Sequence, residues 1–246
     1  MKFWNKKKVL VTGADGFIAS HLTEKLMDLG AHVNVIIRGT SKNGTNKNTF
    51  QNISKNYTSR IKKIISCDIS SQDVINHIVK VNPDYIFHLA ASAYVPYSFD
   101  HPLEVNEANT LGTLNILEAT KLIPKLKRVI CTSSSEVYGS ALTKLIKETH
   151  PLNPTSPYAA SKVAADRYCF SYIKTYNLPI TIIRPFNTYG PRHTYDVVPK
   201  FIKMALMNSD ITVHGDGLQS RDLTYVSDAV DAFLKVGSST KTNRIV

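Results

Sequence analysis

KVLVTGADGFIASHL, residues 8–22, predicts a strand, a glycine-rich turn and a helix in succession. Val9–Thr12 is a short apolar run with β-branched residues, which is typical of a buried parallel strand. Gly13 and Gly16 allow a tight turn and a close approach of the backbone to a pyrophosphate. The helix that follows, predicted over Gly16–Leu29, points its first amide groups at such an anion. A nucleotide site is therefore expected, against the alternative of an ordinary strand–helix turn.

Strands and helices alternate along most of the chain, which indicates a parallel sheet covered by helices on both faces. The predicted strands are Val9–Thr12, His32–Ile37, Ile61–Ile65, Tyr85–Leu89, Arg128–Thr132 and Ile180–Ile183. The predicted helices are Gly16–Leu29, Ser71–Lys80, Leu103–Leu122, Pro157–Tyr176 and Val197–Asn208. Two stretches depart from this order. Gly39–Ser59 is predicted as a long polar loop, and Pro191–Val246 ends in a β-like Arg244–Val246 that is expected to lack a partner, as in a chain that continues further.

Composition narrows the class of protein. Apolar residues make up 43% of the 246 residues, and no run approaches the ~20 apolar residues of a membrane span. Met1–Lys8 leads directly into the first strand, so no signal peptide is expected. Cys67, Cys131 and Cys169 lack disulfide or metal spacing, so a cytoplasmic protein without a metal is expected. The net charge of +11 comes from scattered residues, so we expect neither nucleic acid nor a membrane as partner.

Tyr158 and Lys162 lie four residues apart in the predicted helix Pro157–Tyr176, and therefore share one face of it. An ammonium group one turn away favours the phenolate, so we expect a tyrosine pKa below the ordinary value of ~10. Such a tyrosine is a general base for a sugar or alcohol hydroxyl. The motif alone is common, and two surface residues at helical spacing are the alternative; the neighbouring motifs favour the base.

Three further motifs complete the pattern: TSSSEVYG at residues 132–139, IRPFNTYGPR at 183–192 and GDGLQSRDLTYVSD at 215–228. Together with the glycine-rich turn and Tyr158/Lys162, they resemble the extended short-chain dehydrogenase/reductase family, over the whole chain. Within that family they look like nucleotide-sugar 4,6-dehydratases and epimerases. The resemblance implies an α/β fold, a Rossmann-type doubly wound parallel sheet with a partial small C-terminal substrate domain. Residues 1–190 would bind NAD(P)+ and residues 191–246 would form part of the substrate domain.

The resemblance also implies roles for individual residues. Ser134 hydrogen-bonds the sugar 4-oxygen, Tyr158 is the base, and Lys162 activates it. Glu136 is the acid/base at C5, with Ser135 or water helping the C6 hydroxyl to leave. The implied cofactor-binding residues are Gly13, Gly16, Phe17, Ile18, Arg38, Asp68, Ile69, Leu89, Ala90 and Ala91, with Tyr158 and Lys162. The implied substrate-binding residues are Asn187, Arg192 and Arg221; Asn109 has a structural role, and the two long helices form a homodimer interface.

Two positions depart from the pattern of the dTDP-glucose type of dehydratase and of NAD-binding proteins. Ser135-Glu136 stands where dTDP-glucose dehydratases carry Asp-Glu; it is more similar to GDP-mannose or UDP-N-acetylglucosamine dehydratases and also occurs in UDP-glucuronate decarboxylases. Arg38 ends the second strand where an acid normally binds the ribose of NAD. With Thr40, Ser41 and Lys42, Arg38 favours the 2′-phosphate of NADP+; the alternative is that it stacks on the adenine of NAD.

The favoured function is thus a nucleotide-sugar 4,6-dehydratase. Within the enzymes, a 4-epimerase or a decarboxylase is the alternative. A 4-epimerase needs no C5 base, and a decarboxylase needs a carboxylate clamp that the sequence does not display. From another class, a non-catalytic dinucleotide-binding module stays open.

Overall fold

The computed structural model describes residues 3–38, 50–213, 215–241 and 243–246. Within these residues, parallel strands form a six-stranded sheet in the order β3-β2-β1-β4-β5-β6. The strands are β1 (Lys8–Thr12), β2 (His32–Ile37), β3 (Lys63–Ser66), β4 (Tyr85–His88), β5 (Arg128–Thr132) and β6 (Ile180–Ile183). The order reverses between β1 and β4, which is the switch point where doubly wound sheets bind ligands. The predicted Rossmann-type sheet is confirmed.

Helices cover both faces of the sheet. They are α1 (Phe17–Asp28), α2 (Lys55–Thr58), α3 (Asp73–Val81), α4 (Val95–Asp100), α5 (Pro102–Asn106), α6 (Gly112–Lys121), α7 (Pro157–Tyr176), α8 (Val197–Leu206) and α9 (Val226–Ser238). One apolar core joins α1 and α9 to the sheet, and a second joins α3, α6 and α7 to the other face. Because both faces are buried, the strands are almost wholly apolar. A separate two-stranded sheet pairs β7 (Asn187–Tyr189) with β8 (Leu223–Tyr225) in parallel.

Helix α9 is an element that the sequence patterns above do not predict, although its apolar residues have helical spacing. They are Val226, Ala229, Val230, Phe233 and Leu234, all buried. A Cβ added to Gly237 would lie 2.8 Å from the Trp4 ring, so the helix packs tightly on the core of the main sheet. The division into residues 1–190 and 191–246 stays a prediction, but α9 belongs structurally with the sheet.

The last residues of the chain extend the main sheet. Ile245 forms a parallel bridge with Ile182 on β6, and the Arg184 amide donates to the Val246 carbonyl at 2.8 Å. The expectation that this β-like end lacks a partner is therefore wrong. The partner is β6, more than sixty residues away in the chain, which local patterns do not reveal.

The predicted loop after β2 is only partly described, since residues 39–49 lie outside the described residues. Within its remainder, α2 is a single helical turn that the polar composition does not indicate. The Asp15 carboxylate accepts hydrogen bonds from the Gln51, Asn52 and Ile53 amides at 2.9–3.3 Å. These bonds fasten the segment before α2 to the turn between β1 and α1.

The predicted helix Leu103–Leu122 is interrupted. A π-helical turn at Glu107–Leu111 separates α5 from α6, and such turns are often found at functional sites. It carries Asn109, which is fully buried. The Asn109 amide accepts from the Ser92 amide at 2.8 Å and donates to the Ser92 carbonyl at 3.1 Å and the Ser161 hydroxyl at 2.9 Å. Asn109 thus ties the segment after β4 to α7.

Candidate active site

The glycine-rich turn lies at the switch point of the sheet. Gly13 has a φ of +68°, and a Cβ there would lie 2.7 Å from the Ala90 Cα. The Gly16 amide donates to the Gly13 carbonyl at 2.8 Å, and Gly16 is the N-cap of α1, a residue with no side chain that could accept the first amide hydrogens. The amides of Phe17 and Ile18 are thereby left for an anion. This cradle fits the diphosphate of a dinucleotide.

His88 fixes the loop that faces this turn. Its Nδ1 lies 2.8 Å from the Thr12 hydroxyl and its Nε2 lies 3.0 Å from the Thr113 hydroxyl. The Thr12 hydroxyl in turn accepts from the Ala90 amide at 3.2 Å. Burial, with the charge of Lys162, lowers the pKa of His88 to about 3, so the ring is neutral. His88 therefore holds Leu89–Ala91 in place through hydrogen bonds.

The residues expected at the adenine side lie at the carboxyl ends of β2 and β3. Asp68 Oδ1 accepts from the Ser70 amide at 2.9 Å and from its hydroxyl at 2.8 Å. The Ile69 carbonyl accepts from Asn115 at 2.9 Å. Arg38 lies 3.7 Å from the Glu104 carboxylate in an exposed ion pair, a contact of little energy. Thr40, Ser41 and Lys42 lie outside the described residues.

Ser134, Glu136 and Tyr158 meet at the end of β5. Ser134 caps a 3₁₀ turn at Ser135–Tyr138, and its hydroxyl accepts from the Glu136 amide at 3.2 Å. The Ser134 side chain also hydrogen-bonds Tyr158. Tyr158 stands in the first turn of α7, whose start is fixed by the Ser156 hydroxyl, the N-cap, and by a proline at the first helical position. The structure thus brings together the three side chains that the resemblance assigns to catalysis at C4 and C5.

Lys162 lies one turn further along α7 and donates from Nζ to the Thr132 carbonyl at 2.5 Å. Burial lowers its pKa to about 8, and Cys169, Cys131 and Asp166 act in the opposite direction. The expectation of a Tyr158 pKa below the ordinary value is wrong. Burial raises the pKa of Tyr158 to about 12, although the Ser134 hydrogen bond lowers it, because the enclosed phenolate loses its hydration.

The three expected substrate residues are placed differently from one another. The parallel pair β7–β8 sets Asn187 opposite Leu223, so Arg221, two residues before Leu223, approaches the start of β7. Arg221 is exposed and donates to the Ser220 carbonyl at 2.8 Å. Arg192 instead turns to helix α1, where its guanidinium lies 2.7 Å from the Glu24 carboxylate.

A row of rings beside Tyr158 was not singled out from the sequence. Phe17 and His193 stack with centroids 4.6 Å apart, His193 and Tyr195 lie 4.8 Å apart, and Tyr195 and Tyr94 lie 5.5 Å apart. Tyr195 acts electrostatically on Tyr158 and raises its pKa, as Glu136 and Asp196 do. The signal was His193-Thr-Tyr-Asp196, polar and aromatic residues between the NTYGPR motif and the predicted helix.

The sheet order, the glycine-rich turn at its switch point and the Ser-Tyr-Lys cluster define a dinucleotide-dependent short-chain dehydrogenase/reductase. Among the described residues, no three metal-ligating side chains gather into a group that could hold an ion, and no helix is long and apolar enough to cross a membrane. The chain belongs to the NAD dependent epimerase/dehydratase family, whose model matches residues 9–246.

Known dehydratases and epimerases resemble the chain. The dTDP-D-glucose 4,6-dehydratase of Homo sapiens is 36% identical over 97% of this chain and 68% of that protein. The solved structure of DesIV, a dTDP-glucose 4,6-dehydratase of Streptomyces venezuelae with NAD bound, has a TM-score of 0.82 at 28% identity, covering 96% and 74% of the chains. A UDP-N-acetylglucosamine 4-epimerase of Methanobrevibacter ruminantium M1 has a TM-score of 0.85 at 33% identity, covering 98% and 76%.

Proposed function

We propose that the protein is a nucleotide-sugar 4,6-dehydratase, which oxidises C4, eliminates water across C5–C6 and returns hydride to C6. The proposal rests on the position of Glu136. Its main-chain amide donates a hydrogen bond to the Ser134 hydroxyl at 3.2 Å, and its carboxylate is close enough to Tyr158 to raise the pKa of that phenol. A carboxylate at this place is needed for proton removal from C5, a step that a 4-epimerase lacks. Similarity to dehydratases of Homo sapiens and Streptomyces venezuelae supports it.

Each residue then has one task. Ser134 and Tyr158 bind the 4-hydroxyl, and Tyr158 takes its proton as C4 is oxidised. Substrate and cofactor have to lower the tyrosine pKa, which burial raises to about 12 in the free protein. The dinucleotide, when bound, accepts the hydride from C4 and later gives it to C6. Because the 4-ketone acidifies the C5 hydrogen, Glu136 removes that proton, and Ser135 or water gives a proton to the departing hydroxyl, which leaves as water. Glu136 returns its proton to C5 when hydride is added at C6.

A 4-epimerase is the second candidate function, and it is favoured by the likeness to the Methanobrevibacter ruminantium M1 enzyme. In that reaction Ser134, Tyr158 and Lys162 suffice, and Glu136 would only line the site. A decarboxylase has less support, since it requires a cationic clamp for a C6 carboxylate. A non-catalytic dinucleotide-binding module is disfavoured by the presence of Ser134, Tyr158 and Lys162 together, since such a module does not need them.

The preference for NADP+ over NAD+ stays a prediction. Arg38 supports it, since its exposed ion pair with Glu104 at 3.7 Å leaves the guanidinium available to a phosphate. The NAD bound in the Streptomyces venezuelae relative favours the other cofactor.

We further propose that Asn187 and Arg221 bind the substrate phosphates and that the protein is cytoplasmic. We also propose a homodimer formed through α5–α7, where Leu103, Tyr168 and Phe170 are exposed.

Products from a panel of nucleotide sugars test the function. The purified protein is incubated with UDP-, dTDP- and GDP-linked hexoses and cofactor, and each product is weighed by mass spectrometry. Loss of one water supports the dehydratase, loss of carbon dioxide means decarboxylation, and an unchanged mass with inverted C4 in the NMR spectrum means epimerisation. No conversion of any sugar, with dinucleotide still bound, would favour the non-catalytic module.

A further inference from the structure

Residues 190–196, which join β7 to α8, are fastened to the cofactor helix α1. The Pro191 carbonyl lies 3.0 Å from Nε2 of His21, and the Arg192 guanidinium forms a 2.7 Å ion pair with Glu24. Both partners lie on α1. The segment therefore connects the helix whose first amides face the dinucleotide with the substrate side of the cleft.

His193 occupies the middle of this segment and is enclosed. Its side chain is 5% exposed, and Nε2 lies 3.1 Å from Oδ2 of Asp196. Because the carboxylate accepts, the proton of the ring resides on Nε2. Nδ1 is buried and has no hydrogen-bond partner among the residues that the structure describes. An unpaired buried polar atom destabilises a protein, so a partner is expected from outside the protein.

The place of the ring identifies the chemistry of that partner. His193 lies parallel to Phe17, with 3° between the ring planes, and Phe17 opens the helix whose N-terminal amides attract anions. Arg192 and Asp196, on either side, have φ values of +73° and +72°. Such left-handed conformations of non-glycine residues cost energy and cluster at ligand clamps.

We propose that His193 binds a diphosphate: Nδ1 takes up a proton from solvent and donates it to a phosphate oxygen, while Asp196 holds Nε2–H. The imidazolium then lies between two anions, in charge-assisted hydrogen bonds. This inference rests on the proposed function, because the diphosphate belongs either to the dinucleotide or to the nucleotide sugar. Since Nδ1 is enclosed, the ring has to shift as the diphosphate enters.

Two substitutions separate the hydrogen bond from the stacking. His193→Asn keeps an amide donor near the position of Nδ1, and His193→Gln keeps one near Nε2 but none near Nδ1. NADH binding is measured by fluorescence, and UDP and dTDP binding by calorimetry. We expect His193→Gln to lower the affinity for one of these ligands about 10-fold. The affinities of His193→Asn should stay within about 3-fold of those of the unmodified protein. Unfolding midpoints establish that both variants are folded.

The outcomes assign or reject the contact. A loss confined to NADH assigns the dinucleotide diphosphate, and a loss confined to UDP or dTDP assigns that of the nucleotide sugar. Unchanged binding by His193→Gln, or an equal loss in both variants, overturns the inference and leaves the proposed function intact. Failure of the unmodified protein to bind any of the three ligands overturns both.

Discussion

Asp166 accepts two hydrogen bonds from Arg184, at 2.8 and 2.9 Å, and both side chains are almost completely buried. Asp166 lies one turn beyond Lys162 on α7, and Arg184 directly follows β6. Arg184 also donates to the Tyr138 hydroxyl at 3.0 Å, in the 3₁₀ turn that carries Glu136. Burial raises the pKa of Asp166, but the bonds from Arg184 and Arg167 outweigh it and lower the pKa. One ion pair thus fixes the relative positions of Glu136 and Lys162.

Breaking this ion pair on one side should destabilise the protein strongly. We expect Arg184→Met to lower the free energy of unfolding by about 3–5 kcal/mol, because it leaves the Asp166 carboxylate buried with less of its charge compensated. The double variant Asp166→Leu/Arg184→Met should lose less than Arg184→Met alone. Urea unfolding of the single and double variants measures this coupling, and simple additivity of the two losses would contradict it.

Glu136→Gln should separate oxidation from dehydration. The variant keeps Tyr158 and still oxidises C4, so reduced cofactor accumulates, visible as absorbance at about 340 nm. Water loss should fall by about 10²–10⁴-fold, because the C5 base is gone. Exchange of the C5 hydrogen with deuterated water should be lost as well.

Tyr158→Phe is the matched control for that experiment, since it removes the base for the 4-hydroxyl. No reduced cofactor should appear with any nucleotide sugar. Dehydration by Glu136→Gln at the unmodified rate would mean that Glu136 is not the C5 base, and the epimerase would become the better proposal.

Lys162 should make the stability of the protein depend on pH. Its pKa is about 8 in the folded protein, below the ordinary 10.5, because burial disfavours the ammonium. Between these values the unfolded chain binds the proton and the folded protein does not, so stability relative to Lys162→Met rises with pH. The gain from below pH 8 to above 10.5 should be about 3 kcal/mol. Denaturant unfolding of both proteins across this pH range tests the prediction. If the difference between their free energies of unfolding does not change with pH, burial does not lower the pKa of Lys162.

Gly13→Ala should disable the cofactor cradle. The added Cβ would lie 2.7 Å from the Ala90 Cα at a φ of +68°, so the turn or the loop must move. We expect dinucleotide binding to weaken by about 10-fold or more. Gly30→Ala is the control. Gly30 also has a positive φ, +84°, but it precedes β2 and so lies at the amino-terminal ends of the strands, away from the cofactor site. Equal effects of both substitutions on NADH affinity would contradict a local role for Gly13.

Arg38→Asp should change cofactor preference. If Arg38 binds the 2′-phosphate, the substitution removes a charge-assisted contact and introduces a repulsive one, so affinity for NADPH should fall much more than that for NADH. Fluorescence titrations with both cofactors measure the ratio. Equal affinities of the unmodified protein for NADH and NADPH would remove the basis for the expected preference.

The sequence predicted the parts of the fold that local patterns specify. Strands β2, β5 and β6 and helix α7 have the predicted bounds, because continuous apolar runs and the Ser156-Pro157 start are signals within a few residues. The pairing of Ile245 with Ile182 depends on a distant strand. The π-helical turn at Glu107–Leu111 is tied to contacts that Asn109 makes on two other elements, and no spacing in the sequence reveals them.

The candidate site divides in the same way. Motifs located Ser134, Glu136, Tyr158 and Lys162 because their residue types and order are distinctive. The sign of the Tyr158 pKa shift was wrong, since it depends on how completely the fold encloses the phenol, and helical spacing carries no information on burial. The contacts of His193 with Phe17 and Asp196 likewise depend on three-dimensional packing.

The side chain of Asn109 holds Ser92 through the Ser92 main chain alone, in the way that an adjacent strand would. The amide accepts from the Ser92 N–H and donates to its carbonyl, so it places no demand on the side chain there. The position of the backbone at residue 92, two residues before Tyr94 beside Tyr195, is therefore held whichever side chain stands there. Exchange of the side chain at residue 92 is therefore compatible with an unchanged backbone at this point of the chain.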